Sequence, residues 1–183
     1  METTRLILRQ WKNSDLPAYA EMCADPDVMK YFPAVQTVAD SYVQANRGRD
    51  YIEAHGWGFW AVELKSTGEF IGFVGLHAQE ANCGIPNAPF VEIGWRLRAE
   101  SWGHGYASEA ASLALDYAFT QLDVDEVYSF TAIPNERSKR VMERIGMADT
   151  GQLFNHPKVV HGHRMECHCL FKITKEQWGN HSV

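Results

Sequence analysis

The chain of 183 residues lacks several features that would assign it to a common class. No run of about eighteen apolar residues is present to span a bilayer. Its N-terminus, with Arg5 and Arg9 set among apolar residues, reads as a strand rather than a signal peptide. A soluble, cytoplasmic protein with no membrane partner is expected. Basic residues are not in excess: 17 Lys and Arg against 23 Asp and Glu leave a formal charge of −6. The cationic footprint needed for a nucleic-acid backbone is therefore missing. A surface of this sign draws amines over about 8 Å at physiological salt, although mild acidity also serves solubility alone. Cysteines are few, Cys23, Cys83, Cys167 and Cys169, and none forms a Cys-x-x-Cys pair. Cys167 and Cys169 flank His168 in a strand-like segment, so sulfurs and imidazole point to opposite faces. That argues against zinc and for reduced thiols, and no metal is expected. Repeats, low-complexity tracts and composition breaks are absent too, leaving one domain over residues 1–183 as the default.

Two familiar phosphate-binding loops are excluded by single residues. A P-loop needs Gly-Lys followed by Ser or Thr, and here Gly105 is followed by Tyr106 and Ala107. The dinucleotide fingerprint needs a third glycine where this chain has Ser108. What is present, from Glu92 to Ala110, is a strand leading through Trp102-Gly103-His104-Gly105-Tyr106-Ala107 into a long helix. Gly103 and Gly105 can take positive φ and expose consecutive N–H groups, while Ala107 keeps the first helical turn thin. A phosphate held at a helix N-terminus, and so a nucleotide-like ligand, is the chemistry this suits. Ala107, Ala110, Ala111, Ala114, Leu115, Ala118, Phe119 and Leu122 give that helix one apolar, alanine-rich face that can approach a sheet closely.

Elsewhere, alternation predicts strands over Thr4–Gln10, Trp57–Leu64, Glu69–Ala78, Phe90–Leu97, Glu126–Ile133, Met147–Phe154 and His163–Ile173. Helices are expected from Ser14 as N-cap to about Asp25, from Thr37 to about Ala54, and from Asn135 to about Ile145 with Gly146 as the stop. Turn residues Ser66-Thr67-Gly68 join a hairpin, and Glu80–Pro89 is a loop. The fold class is α+β, a mixed and mostly antiparallel sheet of about seven strands with helices on both faces.

Several separate motifs carry a family resemblance over nearly the whole chain. Val91-Glu92-Ile93-Gly94-Trp95, the Trp102–Ala107 turn with Ser108-Glu109-Ala110, and Asn135-Glu136-Arg137-Ser138 followed by Arg144-Ile145-Gly146-Met147 resemble the GNAT superfamily of N-acetyltransferases. The branch most similar contains the ribosomal-protein N-terminal acetyltransferases, whose first strand Glu2–Arg9 also resembles. One departure is Trp102, which stands where the superfamily loop usually carries Gln or Arg.

The resemblance implies acetyl transfer from acetyl-CoA to a primary amine, either a peptide or protein N-terminus or a small molecule, by direct attack on the thioester. The alternative is a non-catalytic acyl-CoA-binding or sensing module. It implies pyrophosphate at Trp102, Gly103, His104, Gly105, Tyr106, Ala107 and Ser108, and a pantetheine arm paired along the backbone of Trp95, Arg96 and Leu97. Glu92 would be the general base, against a surface or salt-bridging carboxylate. Strand alternation places it with Gly94 and Arg96, where it need not be buried. Asn135 would bind pantetheine and Ser138 would protonate the departing sulfur, although as isolated residues both read as a helix cap. Arg137 and Lys139 are candidates for the phosphates, with exposed charges on a helix usually doing nothing specific. His77, His156 and His168 would border the acceptor, His156 or His168 being an alternative base. A strand histidine is more often hydrogen-bonded structure. A monomer or homodimer is expected.

Overall fold

Seven stretches of alternating sequence form one sheet. They are Leu6–Arg9 (β1), Phe59–Leu64 (β2), Phe70–Gln79 (β3), Phe90–Leu97 (β4), Glu126–Ala132 (β5), Ala148–Asn155 (β6) and Cys167–Thr174 (β7), in the order β1-β2-β3-β4-β5-β7-β6. The computed structural model describes residues 1–181. Every neighbouring pair is antiparallel except β4 and β5. A parallel pair needs a long crossover, and Tyr106–Thr120 (α3) supplies it.

Residues opposed across a ladder share a face. Phe73, Gly75 and His77 oppose Arg96, Gly94 and Glu92 on one face, and Val74 and Leu76 oppose Trp95 and Ile93 on the other. The first face is covered by Leu16–Ala24 (α1) and Val38–His55 (α2), with Tyr19 of α1 meeting Phe73 at 6.2 Å. On the second face α3 packs against the sheet, Tyr117 meeting the Trp60 ring at 5.3 Å. Glu136–Arg144 (α4) and Lys175–His181 (α5) complete the helices, and α4 and α5 are the elements that follow β5 and β7. Ala110, Ala111, Ala114, Leu115 and Ala118 are fully buried. This small-residue face lets α3 lie close to β3 and β4 and fixes where its N-terminus sits.

The central irregularity is the β4–β5 pair. Only Val91↔Val127 and Glu92↔Tyr128 are in register, after which the strands part. The residues from Gly94 to Leu97 therefore lose their neighbour on that side while keeping β3 on the other.

Three details differ from the sequence reading. Asp15 rather than Ser14 precedes α1, because its buried carboxylate accepts the Lys12 N–H at 2.7 Å and pairs with Arg9 at 2.7 Å. The last strand begins at Cys167, not His163, since Glu166 holds the preceding turn by accepting from Gly162 N–H at 2.7 Å and His161 Nδ1 at 2.8 Å. Helix α5 was not foreseen. Thr174 and Gln177 cap it reciprocally, Gln177 N–H donating to Thr174 Oγ1 at 3.2 Å and Thr174 N–H to Gln177 Oε1 at 2.9 Å.

Candidate active site

The turn before α3 adopts the conformation its glycines suggest, with Gly103 at φ 81° and Gly105 at φ 80°. The first amide of this region to bond into the helix is Glu109 N–H, to Gly105 O at 3.0 Å. The N–H groups of Gly105, Tyr106, Ala107 and Ser108 are thus left for an external acceptor, at the positive end of a helix of 15 residues. A Cβ at Gly103 would meet nothing within 4 Å, so the mouth of this cradle is open. A pyrophosphate fits these donors. The Ser108 hydroxyl is sealed and without a partner, so that residue offers its backbone. His104 stacks on Tyr106 at 5.4 Å, and Arg5, paired with Glu109 at 2.6 Å, lies over the other ring at 4.6 Å.

Backbone polarity along β4 determines what faces the gap. Arg98 N–H donates to Ile71 O of the neighbouring segment, so even-numbered residues direct their amides toward β3 and odd-numbered ones toward β5. Ser129 Oγ donates to Ile93 O at 2.8 Å and Trp102 Nε1 to Leu97 O at 3.0 Å. The N–H and C=O of Trp95 and the N–H of Leu97 remain along the opening with no partner strand. The same alternation turns the backbone of Arg96 toward β3 and its side chain to the α1/α2 face.

Trp102 now has a structural explanation. Its indole N–H ties the turn to the end of β4, and its ring carries the Arg137 guanidinium at 4.1 Å. A cation from α4 is thereby held beside the turn at the position where a Gln or Arg side chain would have come from the turn itself. Lys139 pairs instead with Glu136 at 2.9 Å.

On the β5 side, Asn135 and Ser138 form a cap that also sets hydrogen-bond direction. Asn135 Oδ1 accepts Ser138 N–H at 3.3 Å, while Asn135 Nδ2 donates to Thr131 Oγ1 at 2.9 Å and to Ser138 Oγ at 3.0 Å. Because Ser138 Oγ is already accepting, its own proton is free to be donated elsewhere.

Glu92 lies where the strands separate. Its Oε2 accepts from Gln79 Nε2, and its Oε1 would lie 3.5 Å from a Cβ on Gly94, so the carboxylate leans over a residue with no side chain. Alternation left Glu92 free to be exposed; instead burial raises its pKa to about 7, against the Gln79 hydrogen bond and the Lys158 charge, which both lower it. Such a carboxyl exchanges protons at neutral pH.

His77 opposes Glu92 directly and stands between the Tyr51 ring at 4.8 Å and the Phe59 ring at 5.9 Å. Burial lowers its pKa, with Lys158 adding to the effect. His156 and His168 lie 4.8 Å apart beside Phe130 and Phe154. His156 accepts the Lys158 N–H and is pushed down to about 4, mainly by burial; His168 faces the Glu166 carbonyl through Nδ1 and is also lowered by burial. With their pKa values lowered from the ordinary imidazole value, the three imidazoles are neutral at pH 7, and of them His77 stands opposite Glu92 across the β3–β4 ladder. Lys158, Gln79 and Tyr51 were not anticipated. Lys158 is local to His156 in a Pro-turn, but only the folded chain brings its charge near His77 and Glu92 as well.

A mixed sheet whose one parallel pair splays apart, with the unbonded amides of a helix N-terminus at one end of the split and a carboxyl whose pKa is raised to about 7 beside it, has the architecture of an acyl-CoA-dependent N-acetyltransferase. The chain belongs to the GNAT acetyltransferase family, whose domain model, described as acetyltransferase (GNAT) domain, matches residues 5–148. It is 32% identical over 162 residues to the uncharacterized protein YkkB of Bacillus subtilis (strain 168), covering 87% of this chain and 92% of that one. It is 25% identical over 156 residues to the spermidine N(1)-acetyltransferase of Escherichia coli (strain K12), covering 81% and 75%. The crystal structure of a GNAT-family acetyltransferase from Bacillus anthracis superposes with a TM-score of 0.79 at 29% identity, over 96% of this chain and 98% of that one.

Proposed function

We propose that this chain, as one domain over residues 1–183, transfers acetyl from acetyl-CoA to a primary amine that approaches from the α1/α2 face and attacks the thioester directly. The observation that carries this is the position of Glu92, leaning over Gly94 at the point where β4 and β5 part. The amine nitrogen forms its bond to the carbonyl carbon while the carbon–sulfur bond breaks. The nitrogen's proton passes to Glu92, directly or through water, and the departing sulfur takes the proton of Ser138, which solvent restores. A β4 amide facing the gap receives the developing oxyanion. His77, His156 and His168, being neutral, shape the acceptor wall.

Two results are expected from this arrangement. Ser138→Ala lowers kcat about 10- to 100-fold with the KM for acetyl-CoA changed less than about 2-fold, because only the proton to the leaving group is lost. Arg137→Ala instead raises the KM for acetyl-CoA about 3- to 10-fold with little change in kcat, since a phosphate-facing cation binds ground and transition states alike. Steady-state kinetics of both variants separates the two roles.

The reading is tested by thiol release from acetyl-CoA in the presence of a panel of small amines and peptide N-termini. Amine-dependent release that falls in the Ser138 variant supports it. Binding of acetyl-CoA without turnover across a broad panel supports the sensing module instead.

A further inference from the structure

Among the described residues Arg96 is the one strongly buried cation on the α1/α2 face, 7% exposed, and it lies on the same side of β4 as Glu92 and Gly94. Among the described residues no carboxylate comes within ion-pair distance of it. Its Nη1 is satisfied, donating to Cys23 Sγ at 3.2 Å and, at greater length, to Tyr19 Oη and Gln44 Oε1 at 3.5 Å each. Burial keeps the Tyr19 phenol protonated, so that oxygen offers no negative charge. Nε is sealed and has no partner at all. Nη2, which shares an edge of the guanidinium with Nε, makes no hydrogen bond among the described residues either. That edge is the one that accepts a carboxylate side-on through two parallel N–H···O bonds.

The surroundings fit a ligand site better than a structural role. A charge removed from water needs an opposite charge or full hydrogen bonding, and among the described residues Arg96 has neither. Phe32 lies over the guanidinium at 4.3 Å and Phe73 at 5.5 Å, so aromatic rings rather than acceptors face it. Phe32 is exposed on its outer side and belongs to the segment joining α1 and α2, so it is the cover that must swing to admit a ligand. The phosphates of coenzyme A are not the missing anion, because the amides offered to them open α3, which packs on the sheet face opposite to the Arg96 side chain. Glu92 shares this face but is held by Gln79 and makes no ion pair with Arg96, which leaves the acceptor to bring the opposite charge.

We propose that Arg96 is a specificity-determining residue that binds a carboxylate on the acceptor, so that the substrate class is an amine carrying a free carboxylate, such as an ω-amino acid or a short peptide. The proposal rests on the acceptor approaching over Glu92 and Gly94, as argued above. Gly94 and Arg96 are two strand residues apart, ~7 Å, which leaves a short spacer between the two groups. A polycationic amine would place a second positive charge against Arg96 and is disfavoured.

The test uses matched acceptors: β-alanine against β-alaninamide, glycylglycine against its amide, 1,3-diaminopropane as a dication, and ethanolamine phosphate. In the wild type, kcat/KM is expected to favour each acid over its amide by at least about 10-fold, through KM. In Arg96→Met that ratio collapses toward one, and in Arg96→Lys, which keeps the charge but not the fork, it is intermediate. The ratio is the readout, so a general loss of stability in either variant does not mimic the effect. A wild-type ratio near one, an undiminished ratio in Arg96→Met, or a preference for the dication or the phosphate would each overturn the assignment. Calorimetric titration of the same acids into wild type and Arg96→Met in the presence of coenzyme A needs no turnover. Binding lost only in the variant upholds the site even if no amine is acetylated, and no binding to the wild type removes it, whichever way the catalytic reading falls.

Discussion

Glu92→Gln is expected to lower kcat/KM at pH 7 by about 100- to 1000-fold while leaving acetyl-CoA affinity within about 2-fold, because the variant keeps the shape and loses only the proton acceptor. In the wild type, kcat/KM should climb with pH through an inflection near 7, where Glu92 gives up its proton; in the variant only the titration of the acceptor amine remains. The same group has an opposite effect on stability. Its folded pKa, about 7, lies above the ordinary value of 4.5 that holds when unfolded. The native state therefore keeps a proton that the unfolded chain releases, and this contribution is full below pH 4.5 and is lost as pH rises through 7. Above that, the ionised carboxylate is a burden that glutamine does not carry. Because Glu92 retains some solvent contact, the gain is about 1–2 kcal/mol, or roughly 2–8 °C in Tm at pH 8. It should shrink toward zero near pH 4.5. Activity across pH together with thermal unfolding at the two pH values checks this. A variant that loses activity and also loses stability at pH 8 would make Glu92 structural.

Gly72→Ala is expected to cost about 3–5 kcal/mol, a fall of roughly 10–15 °C in Tm. Gly72 sits at φ +138°, and a Cβ there would fall well inside contact with the Arg96 carbonyl oxygen and 2.8 Å from Leu97 Cα. Both neighbours are backbone, so no side chain can rotate away, and β3 must lift from β4 where Leu97 borders the gap. The KM for acetyl-CoA should rise with the loss of stability. Gly68→Ala is the control: φ is +73° but no atom lies within 4 Å of its Cβ, so only the left-handed backbone cost of about 1 kcal/mol is expected. Thermal unfolding of the two variants side by side separates collision from conformational preference.

Local physics made part of this structure readable in the sequence. Phe90–Leu97 was bounded correctly because it alternates between a Pro- and Asn-rich loop and a turn, and Asn135 was readable as a cap because its chemistry acts within three residues. Gly103 and Gly105 announce their positive φ for the same reason. Distant partners were not readable. The parting of β4 from β5 depends on α3 and β5, and Trp102 finds Arg137 only after α4 folds over the turn. Alternation placed Arg96 beside Gly94 and Glu92, but no pattern reveals that α1 and α2 would bring it no acid. Glu92 is half-buried, and the part that was not readable is the shielding imposed from outside β4, the Gln79 contact coming from β3. Helix α5 was overlooked for a different reason: its Thr174-x-x-Gln177 cap is a legible signal, but the seven residues that follow Thr174 contain a single large apolar residue, Trp178.

Acetyl-CoA is expected to occupy the opening between β4 and β5, with its pyrophosphate on the Gly103–Ser108 amides. The most direct measurement is the melting temperature of the wild-type protein with and without acetyl-CoA. At about 100 times Kd, a ligand bound only by the native state adds about 2.7 kcal/mol, which is roughly 5–10 °C for a chain of this size. A rise of that order, reduced in Arg137→Ala, is the predicted result. An unchanged melting temperature at millimolar acetyl-CoA would contradict the account.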